Sequence, residues 1–151
     1  MTVTFDLETI IRATPEAVFD ASLDVDAHLA SMEESGEEAV AGVTSGQIGL
    51  GETVTWKAKH FGITWKMTST VSELDRPHRF VDEQLKGPFH RFHHVHEFEP
   101  IAEGTLMKDH IEFEAPLGPL GLIAERLVLG GYLPKLIVER NEYLKTELER
   151  H

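Results

Sequence analysis

The sequence predicts an α+β fold: a curved antiparallel sheet of about seven strands, two short helices after strand one, and a long C-terminal helix lying over the sheet and enclosing a cavity. Three observations predict it. Residues 3–11 and most of the stretch from 37 to 113 alternate apolar and polar side chains, as half-buried strands do. Helix-start signals interrupt that alternation only after the first strand. Beyond Ala115 the apolar residues recur at steps of three and four instead of two.

In the first strand Val3, Phe5, Leu7, Thr9 and Ile11 share one face. Thr14 then offers a cap, Pro15 suits the first helical position and Glu16 complements the positive helix end, which predicts a short helix over about 15–21. A second short helix is expected from Asp24 to about Met32, and the acidic run Glu33, Glu34, Glu37, Glu38 reads as a solvated face. Val54, Trp56 and Ala58 face inward on one strand; Ile63, Trp65, Met67, Ser69 and Val71 do so on the next, with Lys57, Lys59 and Lys66 opposite. A strand over about 79–86 follows the Arg76-Pro77 turn. The three glycines Gly46, Gly49 and Gly51 lie between strands and read as a loop, not a phosphate cradle. The final helical pattern runs through Leu120, Ile123, Leu127, Gly130, Pro134, Ile137, Asn141, Leu144 and Leu148, with a kink expected at Pro134.

The 151 residues fit one domain over 1–151, large enough to bury a core and leave room for a pocket. A formal charge of −12 argues against nucleic acid and against anionic membranes, and fits neutral, apolar or cationic ligands. Without cysteine there are no disulfides or thiolate metal sites. The N-terminal residues lack a basic segment followed by an apolar one, so a cytoplasmic location is expected. The apolar stretch from Pro116 to Pro134 is too interrupted for a spanning helix, and membrane insertion is not expected. That stretch and the open sheet edges allow a homodimer.

Two segments concentrate the chemistry. In residues 91–98, Phe92, His94, His96 and Phe98 share a face; in 104–113, Thr105, Met107, Asp109, Ile111 and Phe113 do. Both core faces therefore carry ionisable groups, which cost stability unless satisfied. A hairpin with its loop at Ile101–Gly104 sets Phe98 opposite Met107, His96 opposite Asp109, His94 opposite Ile111 and Phe92 opposite Phe113. Directly opposed side chains have Cβ atoms about 4.5–5.5 Å apart, so His96 and Asp109 are expected to bond. A register shift of two would bring His94 opposite Asp109 instead. Asp82 joins the cluster, beside His94, only if the Gly87-Pro88 turn carries an odd residue.

This layout resembles the SRPBCC superfamily of START-like, helix-grip proteins. The residues that carry the resemblance are Thr14-Pro-Glu-Ala-Val-Phe19 after the first strand, Gly87-Pro-Phe89 leading into His94-x-His96-x-Phe98, and Gly104-Thr-x-Met-x-Asp109 leading into Pro116-x-Gly118. They look like a polyketide cyclase/dehydrase-like bacterial subgroup of unknown function. The resemblance implies a deep, mostly apolar cavity between sheet and helix. It supplies no shared catalytic set.

Three readings of the polar cluster follow. His96 and Asp109 can be a satisfied pair that sets register beside a ligand cavity. Asp109 can orient His96 as a general base or acid. His94, His96 and Asp109 can hold a divalent metal. The preferred reading is binding of a small hydrophobic, lipid-like or polyketide-like molecule without metal or cofactor. Its contacts would be Trp56, Trp65, Met67, Asp82, Phe92, His94, His96, Phe98, Met107, Asp109, Phe113, Leu127 and Ile137. The alternative is a cofactor-independent cyclase, dehydratase or isomerase using His96, Asp109 and His94. Arg140 and Asn141 interrupt the last helix's apolar stripe; Asn141 can reach the cavity, but exposure near the helix end is expected for it.

Overall fold

The computed structural model describes residues 2–33, 36–60, 62–115, 118–119, 122 and 131–150. The chain runs through β1 (Thr2–Ile11), α1 (Pro15–Ser22), α2 (Val25–Ser31), β2 (Glu38–Gly42), β3 (Thr53–His60), β4 (Ile63–Asp75), β5 (Arg79–Lys86), β6 (Arg91–Ile101), β7 (Gly104–Glu114) and α3 (Tyr132–Glu149). The seven strands form one antiparallel sheet in the order β1-β7-β6-β5-β4-β3-β2. The last strand thus inserts beside the first, and β1 and β2 are the edges.

Local chemistry places the elements as expected. The Thr14 hydroxyl accepts from the Ala17 amide to start α1, and the Asp24 carboxylate accepts from Ala27 to start α2. The β6–β7 hairpin pairs Ile101 with Gly104, which sets His96 opposite Asp109 and Phe98 opposite Met107. Gly104 has φ 139°, and a Cβ there would lie 2.4 Å from the Ile11 carbonyl oxygen, so only glycine lets β7 begin this close to the end of β1. The register shifts between Thr68 and Ser69, between Val71 and Glu73, and between Ala39 and Ala41, and such shifts locally kink and twist a strand.

The expected long helix needs correction at its start. Within the described residues it begins at Tyr132, after Gly131 in the left-handed region at φ 74°. Pro134 therefore sits in the first turn, where its missing amide breaks no helical bond, and it produces no kink. Leu120, Ile123, Leu127 and Gly130 lie outside the described residues. No described helix is long and apolar enough to cross a membrane.

Two apolar clusters form the core. One joins Ile11, Val18, Phe19, Val54, Val71, Phe80, Phe98, Met107 and Leu144. The other joins Phe89, Phe92, Ile111, Phe113 and Ile137. Each element that spans both clusters changes character between them. On β6, His94 and His96 lie between Phe92 and Phe98; on β7, Asp109 lies between Ile111 and Met107; on α3, Arg140 and Asn141 lie between Ile137 and Leu144. A polar layer thus separates two oily ones.

Candidate functional site: a cavity bordered by crossed imidazole–carboxylate pairs

A cavity of about 230 Å³ lies between the sheet and the helices α2 and α3. Its apolar wall includes Trp56, Ala58, Trp65, Met67, Phe80, Phe89, Phe92, Leu133 and Ile137. The polar layer closes one side with Asp82, His94, His96 and Arg140.

The hydrogen bonds in that layer run diagonally. His96 opposes Asp109 in the β6–β7 ladder, yet its Nε2 donates to Oδ2 of Asp82 on β5, at 2.6 Å. His94 opposes Asp82 in the β5–β6 ladder, yet its Nε2 donates to Oδ1 of Asp109 on β7, at 2.8 Å. The expected His96–Asp109 bond is therefore corrected to two crossed pairs. Stacking supplies the reason. The His96 ring lies 4.0 Å from Phe80 and 3.7 Å from His94, nearly parallel to both, and this fixes where its nitrogens point. Nδ1 of His96 remains 3.4 Å from Asp109 Oδ1 but makes no hydrogen bond.

The two carboxylates differ in role. Asp109 is 1% exposed and is held on both oxygens. Asn141 Nδ2 donates to Oδ2 at 2.8 Å, and Arg140 Nη1 reaches Oδ1 at 3.4 Å while also donating to the side-chain Oδ1 of Asn141 at 3.1 Å. Burial alone would raise this carboxyl; the His94 bond and the Arg140 guanidinium outweigh it and hold it well below the usual carboxylate range. Asp82 keeps 30% side-chain exposure and lines the cavity. Burial raises it too, but the His96 partner outweighs burial and keeps it ionised. His96 is pushed down to about 4, first by burial and then by the neighbouring His94, so it is neutral near neutral pH and offers its Nε2 proton to Asp82.

Of the residues expected at the site, Trp56, Trp65, Met67, Asp82, Phe92, His94, His96 and Ile137 line the cavity. Phe98, Met107 and Phe113 are placed elsewhere: at 2%, 0% and 0% exposure they fill the core, Phe98 packing on Phe19 and Phe80. Asp109 stands behind His94, away from the cavity wall. Leu127 is outside the described residues. The expectation of an exposed Asn141 is also corrected, and Arg140 is buried beside it. The rotational phase of α3 carries both inward with Ile137 and Leu144.

A second polar group lines the cavity on the β3 side. His28 donates to Glu37 at 2.6 Å and lies 4.4 Å from the Trp56 ring, while His60 shares a 2.8 Å hydrogen bond with the Tyr132 hydroxyl. Glu37 is only 12% exposed at its side chain, so its reading as part of a solvated run is corrected. The signals for these residues were in the pattern. His60 continues the inward phase of Trp56 and Ala58, and His28 falls between Val25 and Met32 at helical spacing.

For a metal, Asp82, His94 and His96 present ligand atoms within 4.8 Å of one another. Asp109, named for that role from the sequence, has both oxygens engaged by protein donors. Asp82 and Asp109 are two carboxylates beside the guanidinium of Arg140.

The fold recurs in solved structures. The chain is similar to the ZhuI aromatase/cyclase from Streptomyces sp. R1128, with TM-score 0.78 and 16% identity over 99% of this chain and 95% of that one. It is also similar to a Thermus thermophilus protein, with TM-score 0.69 and 21% identity over 95% of this chain and 97% of that one. The major latex-like protein 151 of Panax ginseng matches with TM-score 0.63 and 12% identity over 97% of each chain. No curated protein matches. The family model described as polyketide cyclase / dehydrase and lipid transport matches residues 2–149, and the chain belongs to that family, within the SRPBCC superfamily.

Proposed function

We propose that this protein binds a small, mainly apolar molecule of one or two rings in the cavity between the sheet and α3, in the cytoplasm. One observation carries the reading: a largely apolar, aromatic-walled cavity is bordered by a few polar groups already fixed by their own hydrogen bonds. Such groups orient a ligand without reorganising. Size supports the ligand class. A cavity of about 150 Å³ takes benzene, so about 230 Å³ suits a somewhat larger ring system. The test is a native mass spectrum of the purified protein beside that of Ala58→Phe, which fills the cavity from β3. The reading expects an adduct on the wild type that leaves on denaturation and is absent from the variant. An adduct of equal intensity on both places the ligand elsewhere.

A second reading, a cofactor-independent cyclase, dehydratase or isomerase, is favoured by the exposed face of Asp82. That carboxylate meets the cavity with a protonated His96 Nε2 behind it, an arrangement suited to moving a proton on a bound carbonyl compound. In that reading Asp82 touches the substrate and His96 sets its basicity. Turnover of a substrate that survives both Asp82→Asn and His96→Ala removes it.

A further inference from the structure

The cavity carries more negative than positive charge. Asp82 enters from β5: Oδ2 accepts from His96, and among the described residues no donor reaches Oδ1. Glu37 enters from the β3 side, with Oε1 held by His28. Asp24, also in the wall, is occupied as the cap of α2. The guanidinium in the wall, Arg140, is 5% exposed and directs Nη1 to Asp109 and Asn141. Two carboxylates, Asp82 and Asp109, thus face the guanidinium of Arg140, and the Asp82 Oδ1 that meets the cavity is a charge with no donor of its own. Such a charge is costly until something neutralises it.

We propose, resting on the binding reading above, that the cavity selects arylalkylamines, the protonated amine docking on Asp82 Oδ1 and the ring system filling the aromatic-walled space. A single positive charge pairs with Asp82 Oδ1. A carboxylate would place a second negative charge beside Asp82. The faces of Trp56, Trp65 and Phe92 add an attraction for cations that a hydrocarbon wall lacks. The ligand class therefore shifts away from fatty acids, which would bring the wrong charge to this wall.

The experiment is isothermal titration of the intact protein at neutral pH with three probes of one scaffold: naphthylethylamine, naphthylethanol and naphthylacetate. The amine is expected to bind about tenfold or more tighter than the alcohol, as a charge-assisted hydrogen bond provides, with the carboxylate weakest. In Asp82→Asn the amine's advantage over the alcohol is expected to vanish while the alcohol keeps its affinity, which also shows that the variant retains its cavity. Carboxylate binding as tight as the amine's, or an amine preference that survives Asp82→Asn, overturns the selectivity and leaves the binding reading standing. Failure of all three probes on the wild type removes both. If Asp82→Asn loses the alcohol too, the wild-type ranking of amine over carboxylate decides.

Discussion

Asn141 of α3 donates from Nδ2 to Oδ2 of Asp109 on β7 at 2.8 Å, a bond between two residues that are 2% and 1% exposed. It ties the covering helix to β7, the neighbour of the edge strand β1, in the polar layer between the two apolar clusters. Asp109 is therefore an anchor and Asp82 the carboxylate that meets the cavity. Two acids of one cluster thus take different roles because one is held on both oxygens and the other on one.

The anchor has a predicted cost when broken. Asp109→Ala leaves Arg140 buried beside no carboxylate of its own and is expected to lower stability by about 3–5 kcal/mol. Asn141→Ala removes one buried hydrogen bond and is expected to cost about 1–3 kcal/mol. Asp82→Asn, open to the cavity, is expected to cost less than either. Urea unfolding of the three variants measures this order, and an Asp82 variant as damaged as the Asp109 one contradicts the division of roles.

Stability is expected to fall with acid in two windows. The folded value of His96 is depressed from the ordinary 6.5 to about 4, so the unfolded chain takes up that proton first. Its contribution is fully present above about pH 6.5 and is lost as pH falls toward 4. His60, also lowered by burial, acts in the same direction. Asp109 and Asp82, both held below the ordinary 3.8, contribute above that value and lose the contribution on further acidification. Urea midpoints recorded against pH should slope downward through the first window, and more gently in His96→Gln. A flat wild-type profile there contradicts a buried neutral His96.

Core and cavity wall should respond oppositely to volume. Phe98 packs edge-on against Phe19 at 5.3 Å, and Phe98→Ala is expected to cost about 3–5 kcal/mol. Ala58→Leu grows into existing space and should leave the melting temperature within a few degrees while abolishing binding of a two-ring probe. Calorimetric melting paired with a binding titration separates the two effects. An Ala58→Leu variant that binds as the parent does would show that the space next to β3 is not the ligand's.

Much of this arrangement was legible in the chain, and the gaps have physical causes. Strand alternation and a short turn ending at Gly104 determine which residues of β6 and β7 face each other, so His96 opposite Asp109 could be read directly. Which nitrogen bonds which carboxylate could not, because the stack of Phe80, His96 and His94 turns the rings toward diagonal partners. Asp82 was open because its phase depends on the turn at Gly87-Pro88; the structure pairs it with His94. Asn141 was misplaced because the start of α3, and hence its rotational phase, does not follow from a three-and-four repeat that extends back to Leu120. Phe98, Met107 and Phe113 share the cavity's face of the sheet, but α1 and the neighbouring rings fill the space above them, which alternation cannot show.

The central claim is that the space between the sheet and α3 is a ligand site, and an NMR titration with naphthylethanol tests it most directly. Saturable shifts are expected at the side chains of Trp56, Trp65, Met67, His94, His96 and Ile137, with Phe98 and Met107 little changed. No saturable shifts, or shifts confined to the outer face at Lys57, Lys59 and Lys66, would contradict it.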